Sequence, residues 1–136
     1  MNRIDVLEKV KGLLLLPNLE MATSKQVAAF FETGFTNINN LISRNKEELL
    51  SDGMVMVQRN NVEEFLKPPV ESLEITPYFA AIKDNQGNEH RFSNRGSYVL
   101  PRRAILRVGM LLRDSEVAKE VRTQLLNIEE KTTAEI

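Results

Sequence analysis

Six residues within one short segment carry compact hydrogen-bonding groups of the kind that recognise nucleotide bases. The segment combines hydroxyl, carboxamide and guanidinium side chains: Thr36, Asn37, Asn39, Asn40, Ser43 and Arg44. An asparagine can form two hydrogen bonds with adenine and an arginine two with guanine, each good pair contributing about 1–3 kcal/mol of discrimination. These residue types therefore predict contacts with base edges in duplex DNA.

A helix over this segment would hold the polar groups away from the core. At about 100° per residue, Ile38, Leu41 and Ile42 fall on one side, and the polar side chains fall on the opposite side and its shoulders. Three asparagines lower helix propensity, which is a cost without a purpose on a merely solvated face. The alternative is an ordinary exposed helix, which Glu47 favours because an outward carboxylate repels phosphate.

A second set of residues is suited to binding the DNA backbone. Residues 90–113 contain six arginines and no acidic residue, although the whole chain has a net charge of −1. Thr23 and Lys25 lie at the start of a predicted helix, where the free backbone amides favour binding of a phosphate. The phosphate-binding candidates are Thr23, Lys25, Arg91, Arg95, Arg102, Arg103 and Arg107.

Each of these candidates also has a plainer interpretation. For Thr23, the alternative is that it serves solely as a helix cap and contacts no phosphate. Arg103 and Arg107 lie one helical turn apart and form either a phosphate-binding ridge with Arg102 or ion pairs with acids elsewhere in the chain. Arg91 and Arg95 flank the predicted hairpin and are suited to a wing that touches the DNA backbone or a groove.

Residue types that usually carry catalysis or bind metals are sparse. The chain has no cysteine and one histidine, so it lacks thiolate nucleophiles, and a zinc site or histidine relay is hard to assemble. Asp114 and Glu116 are paired only in sequence, because Asp114 is explained as a helix cap. His90 lies beside a predicted surface turn, where we expect solvent exposure. We therefore expect neither an enzyme nor a cofactor or metal site.

The N-terminal half predicts two short helices joined by a tight turn at Gly34. Thr23 and Gln26 have the spacing of a capping box, which starts the first helix directly after Thr23. Thr36 is a good cap for the second helix, and Asp52-Gly53 ends it. Such a pair of helices is typical of a helix-turn-helix DNA reader.

The segments around this helix pair are less regular. Ile4–Leu16 is compatible with a helix or a strand, and its periodicity does not decide between them. Met54–Val57 predicts a short strand, and Asn61 with Glu64 predicts a second capping box that opens a helix. A strand following the two helices indicates a winged variant.

The C-terminal half predicts a hairpin and two helices. Pro68-Pro69 breaks the chain, and Val70–Pro77 is the best candidate for a boundary, giving regions 1–69 and 70–136. Asp84–Asn88 is a strong hairpin turn by residue chemistry, and Tyr98–Leu100 can add a third strand. Beyond Pro101, apolar residues at helical spacing predict one helix, and a second follows a cap at residues 114–115.

Composition bounds the class and the location of the protein. At 136 residues with 42% hydrophobic and 27% charged residues, the chain is expected to form a real core. Its longest apolar run is far shorter than the roughly 20 residues that cross a bilayer, and the N-terminus lacks a signal-peptide layout. We expect a cytoplasmic protein. The C-terminal end of the last predicted helix is polar and has no residue that would end the helix, so we expect the natural protein to continue past Ile136.

Two segments of the sequence resemble a known family of regulators. The first resembles the KilA-N type of DNA-binding domain in phage antirepressors and prophage regulators: Ala22–Glu32, then Ile38, Leu41-Ile42, Arg44-Asn45 and Asp52-Gly53. The second, Tyr98–Leu126, looks like the end of the Bro-N type antirepressor domain, where a strand feeds two helices. One departure is Thr33, which stands where such helix pairs usually have an apolar residue, and Phe35 can fill that space.

The residues and the resemblance lead to one expectation and one alternative. We expect an α+β protein with an N-terminal winged helix-turn-helix followed by a β-hairpin packed on two C-terminal helices. The resemblance implies a sequence-specific transcription regulator of phage antirepressor type that binds double-stranded DNA, opposes a repressor protein, or both. The alternative is a protein-interaction module whose C-terminal helices bind a repressor or form a homo-oligomer. We expect no membrane partner.

Overall fold

The computed structural model describes residue 8 and residues 20–66, 70–113 and 115–134. Six helices are described: α1 (Ser24–Phe30), α2 (Phe35–Arg44), α3 (Lys46–Ser51), α4 (Val62–Phe65), α5 (Arg102–Leu111) and α6 (Glu116–Ala134). The strands are β1 (Met21–Thr23), β2 (Val55–Val57), β3 (Glu74–Ile75), β4 (Phe79–Lys83), β5 (Glu89–Ser93) and β6 (Ser97–Pro101). The predicted α+β class is confirmed. The predictions for Ile4–Leu16, Pro68-Pro69 and Asp114 lie outside the described residues.

The predicted capping box at the start of α1 is confirmed. The backbone amide of Gln26 donates to Thr23 Oγ1 at 3.2 Å, and the amide of Thr23 donates to Gln26 Oε1 at 2.8 Å. The two bonds satisfy amides that lack partners within the helix, so α1 begins at Ser24 as the sequence predicts.

The turn between α1 and α2 differs from the expected turn at Gly34. Glu32 takes the left-handed conformation, with φ +54°, and the amide of Thr33 bonds the carbonyl of Ala28. This is the pattern of a Schellman helix end. Gly34 instead has φ −69° and acts as the N-cap of α2, so the prediction of Thr36 as that cap is wrong.

The predicted second helix is divided into two. Its break is at Asn45, whose side-chain amide donates to the carbonyl of Leu41 at 2.9 Å. The predicted stop at Asp52-Gly53 is confirmed, because Asp52 is the C-cap of α3 and Gly53 has φ +103°. The predicted second capping box is absent: the side chain of Asn61 accepts from the amide of Gln58 instead of capping α4.

The strands form two antiparallel sheets, in the orders β1-β6-β2 and β3-β4-β5. The predicted hairpin is confirmed as β4 and β5, joined by the Asp84–Asn88 turn. The predicted third strand also exists, as β6, but it pairs with β1 and β2. The third strand of the second sheet is β3, which pairs with β4 and lies in the expected linker.

Two apolar cores hold these elements together. The larger core joins α1, α2 and α3 to α5 and α6, through residues such as Phe31, Leu49 and Val108. The smaller core packs the β4–β5 hairpin against α4 and the first sheet, through residues such as Phe92. The expectation that this hairpin packs on the two C-terminal helices is therefore wrong, and the larger core crosses the expected boundary at residue 69.

The C-terminal helices meet at a tightly packed corner. The hydroxyl of Ser115 accepts from the amide of Ala118 at 3.1 Å, which confirms a cap at this position, and donates to the carbonyl of Phe31 at 2.7 Å. The guanidinium of Arg122 donates to the carbonyls at the end of α5, at Gly109 and Leu112. In the part of the chain that the structure describes, no helix has the length and apolar character that a membrane span requires.

Candidate nucleic-acid interface

Helix α2 is held by three buried apolar side chains on one side. Ile38, Leu41 and Ile42 are buried in the larger core, as their spacing predicts. Burying a residue of this size contributes roughly 1.5–3 kcal/mol, so the three together fix the rotation of the helix about its axis. The opposite side of α2 is consequently presented to solvent in a defined orientation.

All six predicted base-contacting side chains are exposed on α2. They occupy two sectors of the helix surface. Thr36, Asn40 and Ser43 follow one another at helical spacing directly opposite the anchors, with Asn39 on one shoulder. Asn37 and Arg44 lie on the other shoulder, where the helix borders a cleft. The structure thus places all six side chains on one helix, but four of them point outward or to one shoulder and two point towards the cleft.

The cleft lies between α2 and the junction of α5 with α6, and its volume is about 520 Å³. Asn37, Arg44 and Asn45 line its α2 side, and Arg113 lines the opposite side. The amide of Asn37 donates to Thr33 Oγ1 at 2.8 Å, and Arg44 Nε donates to its own helix at the carbonyl of Asn40, at 3.3 Å. Both side chains are therefore oriented within the cleft wall, and each retains further N–H groups for a ligand.

Arg113 is the cleft residue that the sequence reasoning did not select. It belongs to the arginine-rich segment, but it follows the end of the predicted helix and so falls outside the proposed ridge. Its closeness to α2 depends on the corner between α5 and α6. No spacing rule in the sequence connects residue 113 with residue 44.

At the start of the helix pair, Lys25 and Thr23 differ in availability. Lys25 is exposed, and its ammonium lies 5.7 Å from the ring centre of Phe35, which is itself 40% exposed. The expectation that Phe35 fills a buried space in the turn is therefore wrong. Thr23 is buried and its hydroxyl accepts the capping hydrogen bond, which favours the capping interpretation over a phosphate contact.

Arg103 and Arg107 bind a carboxylate of the protein itself. Arg103 Nε lies 2.8 Å from Asp52 Oδ1 and Arg107 Nε lies 2.7 Å from Asp52 Oδ2, with Glu48 a further 3.8 Å contact of Arg107. The hydrogen bond from Arg107, helped by that from Arg103, lowers the pKa of the buried Asp52 carboxyl to about 2 against the effect of burial. The predicted alternative of ion pairs with acids elsewhere in the chain is confirmed for these two arginines.

The other three arginines are scattered. Arg91 donates to Glu89 at 3.0 Å and lies over the ring of Phe79 at 4.3 Å, in a groove between β5 and the start of α1. Arg95 is exposed in the turn between β5 and β6. Arg102 is exposed at the start of α5, beside a groove that also contains Met110.

His90 is a structural residue of the hairpin. Its Nε2 lies 2.8 Å from Asp84 Oδ2, and only 13% of its side chain is exposed, so the expected solvent exposure is wrong. Burial raises the pKa of the Asp84 carboxyl, but hydrogen bonds from His90 and from the amides of Asn88 and Gln86 outweigh it and lower that pKa. The pair closes the Asp84–Asn88 turn.

Comparisons with known proteins give no family to which the chain can be assigned: no protein-family model, no curated protein and no solved structure matches it. Within the described ranges, no group of three or more histidine, cysteine or acidic side chains is arranged to hold a metal ion.

Proposed function

We propose that this chain is a sequence-specific DNA-binding transcription regulator of the phage or prophage antirepressor type. In this proposal α1 and α2 act as a helix-turn-helix, and α2 enters the major groove. The observation that carries the proposal is the exposed stripe of Thr36, Asn40 and Ser43, held opposite three fully buried anchors. Short polar groups on a rigid helix are what base recognition requires.

The strand arrangement supports the winged form of this motif. β2 follows the helix pair, pairs with β6, and β6 pairs in turn with β1. The chain between β2 and β6 then takes the place of the wing, with α4 and the second sheet built into it. Arg95, exposed in the turn that leads into β6, is the basic residue best placed to contact DNA from this side.

The break at Asn45 weakens the main objection to DNA contact, which is the carboxylate of Glu47. Glu47 falls on the outward face only if one straight helix continues from α2. In the structure Glu47 belongs to α3, a separate helix, so its direction no longer follows from the spacing in α2. The exposed residues of α2 itself include no acidic side chain.

Selection from a pool of random duplex DNA tests the proposal. We expect the wild-type chain to enrich one motif, and Asn40→Ala to lose discrimination of about 1–3 kcal/mol at one base pair. Asn127→Ala, an exposed asparagine on α6, is the matched control and should enrich the wild-type motif. An unchanged motif with Asn40→Ala would reject α2 as the reading helix, and no enrichment by the wild type would reject DNA recognition.

The outer face of α6 favours a second candidate function, protein interaction by self-association. Leu126 is 70% exposed there, between Lys119 and Glu130 on the same side of the helix. Two copies packed antiparallel along this face would bring each Lys119 towards the partner's Glu130. A chain that sediments as a dimer and selects no DNA sequence would support this function in place of the first.

A further inference from the structure

We propose that the cleft between α2 and the α5–α6 junction holds the sugar–phosphate backbone of one DNA strand, with Arg44 and Arg113 on its phosphates. The inference rests on the proposed function and deepens it. It reassigns Asn37 and Arg44 from reading bases to binding the backbone. It also adds to the interface Arg113, which belongs to the arginine-rich segment but lies outside the predicted ridge.

The position of the cleft on α2 is the first argument. Asn37, Leu41 and Arg44 follow one another along a single edge of the helix, about a quarter turn from the stripe that faces directly outward. When a helix lies in the major groove, its outward face meets base edges and its flanks meet the backbones that border the groove. The cleft is therefore where a flanking strand would pass.

The chemistry of the cleft is the second argument. Arg44 and Arg113 supply two guanidinium groups, and the described residues that line the cleft include no acidic side chain. Guanidinium groups match phosphate oxygens in geometry as well as charge. The carboxamide of Asn37 adds a neutral donor of the type that commonly binds phosphate oxygens.

The contrast with the other arginines is the third argument. Arg103 and Arg107 are paired with Asp52, and Arg91 is paired with Glu89. Among the described residues, no carboxylate is within ion-pair distance of Arg44, whose Nε bonds only a backbone carbonyl. Arg44 therefore keeps its positive charge for a ligand in the cleft.

Two charge-removing variants and one control test the inference. Arg44→Gln and Arg113→Gln are compared with Lys119→Gln, which also removes one exposed positive charge but lies on the outer face of α6, away from the cleft. Affinity is measured by fluorescence anisotropy, with the selected duplex and a scrambled duplex, between about 50 and 200 mM salt. Thermal unfolding of each variant verifies that these exposed substitutions leave the fold intact.

We expect each cleft variant to weaken both duplexes equally, by about 5- to 10-fold, and to reduce the slope of log affinity against log salt by about 0.9. The control should stay within about twofold of the wild type. A wild-type slope in either cleft variant would overturn the inference while leaving sequence-specific binding intact. A changed base preference in Arg44→Gln would also overturn it, and a wild type that binds neither duplex would reject the proposed function together with it.

Discussion

Asp52 is the residue that most clearly joins the two halves of the chain. It is the C-cap of α3, its side chain is buried, and it receives hydrogen bonds from Arg103 and Arg107 on α5. A buried carboxylate is costly unless its oxygens are satisfied by charged donors. The arrangement fixes the distance between the end of α3 and the start of α5.

This cluster predicts a specific loss of stability in acid. The folded pKa of Asp52 is about 2, below the value of about 3.9 for an unfolded aspartate, so the ionised carboxyl stabilises the fold above pH 4. That stabilisation disappears as the pH falls from about 4 to 2. It amounts to at most about 2.5 kcal/mol, less the screening by solvent around the exposed Arg103.

Denaturant unfolding of the wild type and Asp52→Asn, at pH 7 and near pH 2, measures this effect. The wild type should be the more stable protein at pH 7. The difference should shrink near pH 2, because about half of the folded molecules then carry a protonated Asp52 carboxyl, as nearly all unfolded molecules do. Glu89→Gln, which alters an exposed ion pair with Arg91, is the control and should change stability little. An equal difference between wild type and Asp52→Asn at both pH values would contradict the assignment.

At the residue scale, the contacts that could be predicted were between partners close along the chain, although the second capping box and the pairing of His90 with Asp84 were missed. The capping bonds between Thr23 and Gln26 span three residues, so their spacing is visible in the sequence. The bonds from Arg103 and Arg107 to Asp52 span more than fifty residues, and only the folded chain brings them together. The same limit concealed the position of Arg113 beside α2.

At the scale of elements, the buried faces of the helices were predictable and their junctions were not. The spacing of Ile38, Leu41 and Ile42 correctly identifies the inward side of α2. The turn after α1 was predicted at Gly34, but the residue that takes the left-handed conformation there is Glu32. A non-glycine residue in this conformation gives no signal in the sequence, because glycine is its usual occupant.

The turn between β5 and β6 predicts a strong requirement for glycine at one position. Gly96 has φ +88°, and an added Cβ would lie 2.8 Å from the carbonyl oxygen of Val57 on β2. Gly96→Ala should therefore destabilise the fold by more than the roughly 1–2 kcal/mol that a left-handed alanine costs by itself. The free energy of unfolding in denaturant is the measurement.

Gly87 provides the matched control for this substitution. Its φ is +86°, nearly the same as that of Gly96, but nothing lies within 4 Å of its added Cβ. Gly87→Ala should show only the backbone cost. Equal losses for the two variants would show that β2 does not pack closely against this turn.

At the scale of the whole molecule, the two halves of the chain form one assembly. Strand β6 lies between β1 and β2, so a strand near residue 100 completes the sheet begun at residue 21. Hydrophobic patterning predicted a strand at that place but not its partners, because short strands with similar patterns pair in many ways. Helix α2 is therefore supported by elements from both ends of the described chain.

The charges of the molecule are distributed in a way that its net charge of −1 conceals. Asp52 pairs with Arg103 and Arg107 of α5, whereas Lys25, Arg44 and Arg113 are exposed around α2. A weakly acidic protein can thus present one basic surface to DNA. The central claim is that this surface, with the polar stripe of α2 at its middle, is where duplex DNA binds.

Backbone amide NMR of the 136-residue chain, recorded while the selected duplex is added, tests that claim most directly. The account predicts that the largest shifts occur at Thr36, Asn40 and Ser43, with further shifts at Arg44 and Arg113, and that the amides around Leu126 on α6 stay unchanged. Shifts confined to the α6 face, or no shift in α2 at saturating duplex, would contradict it.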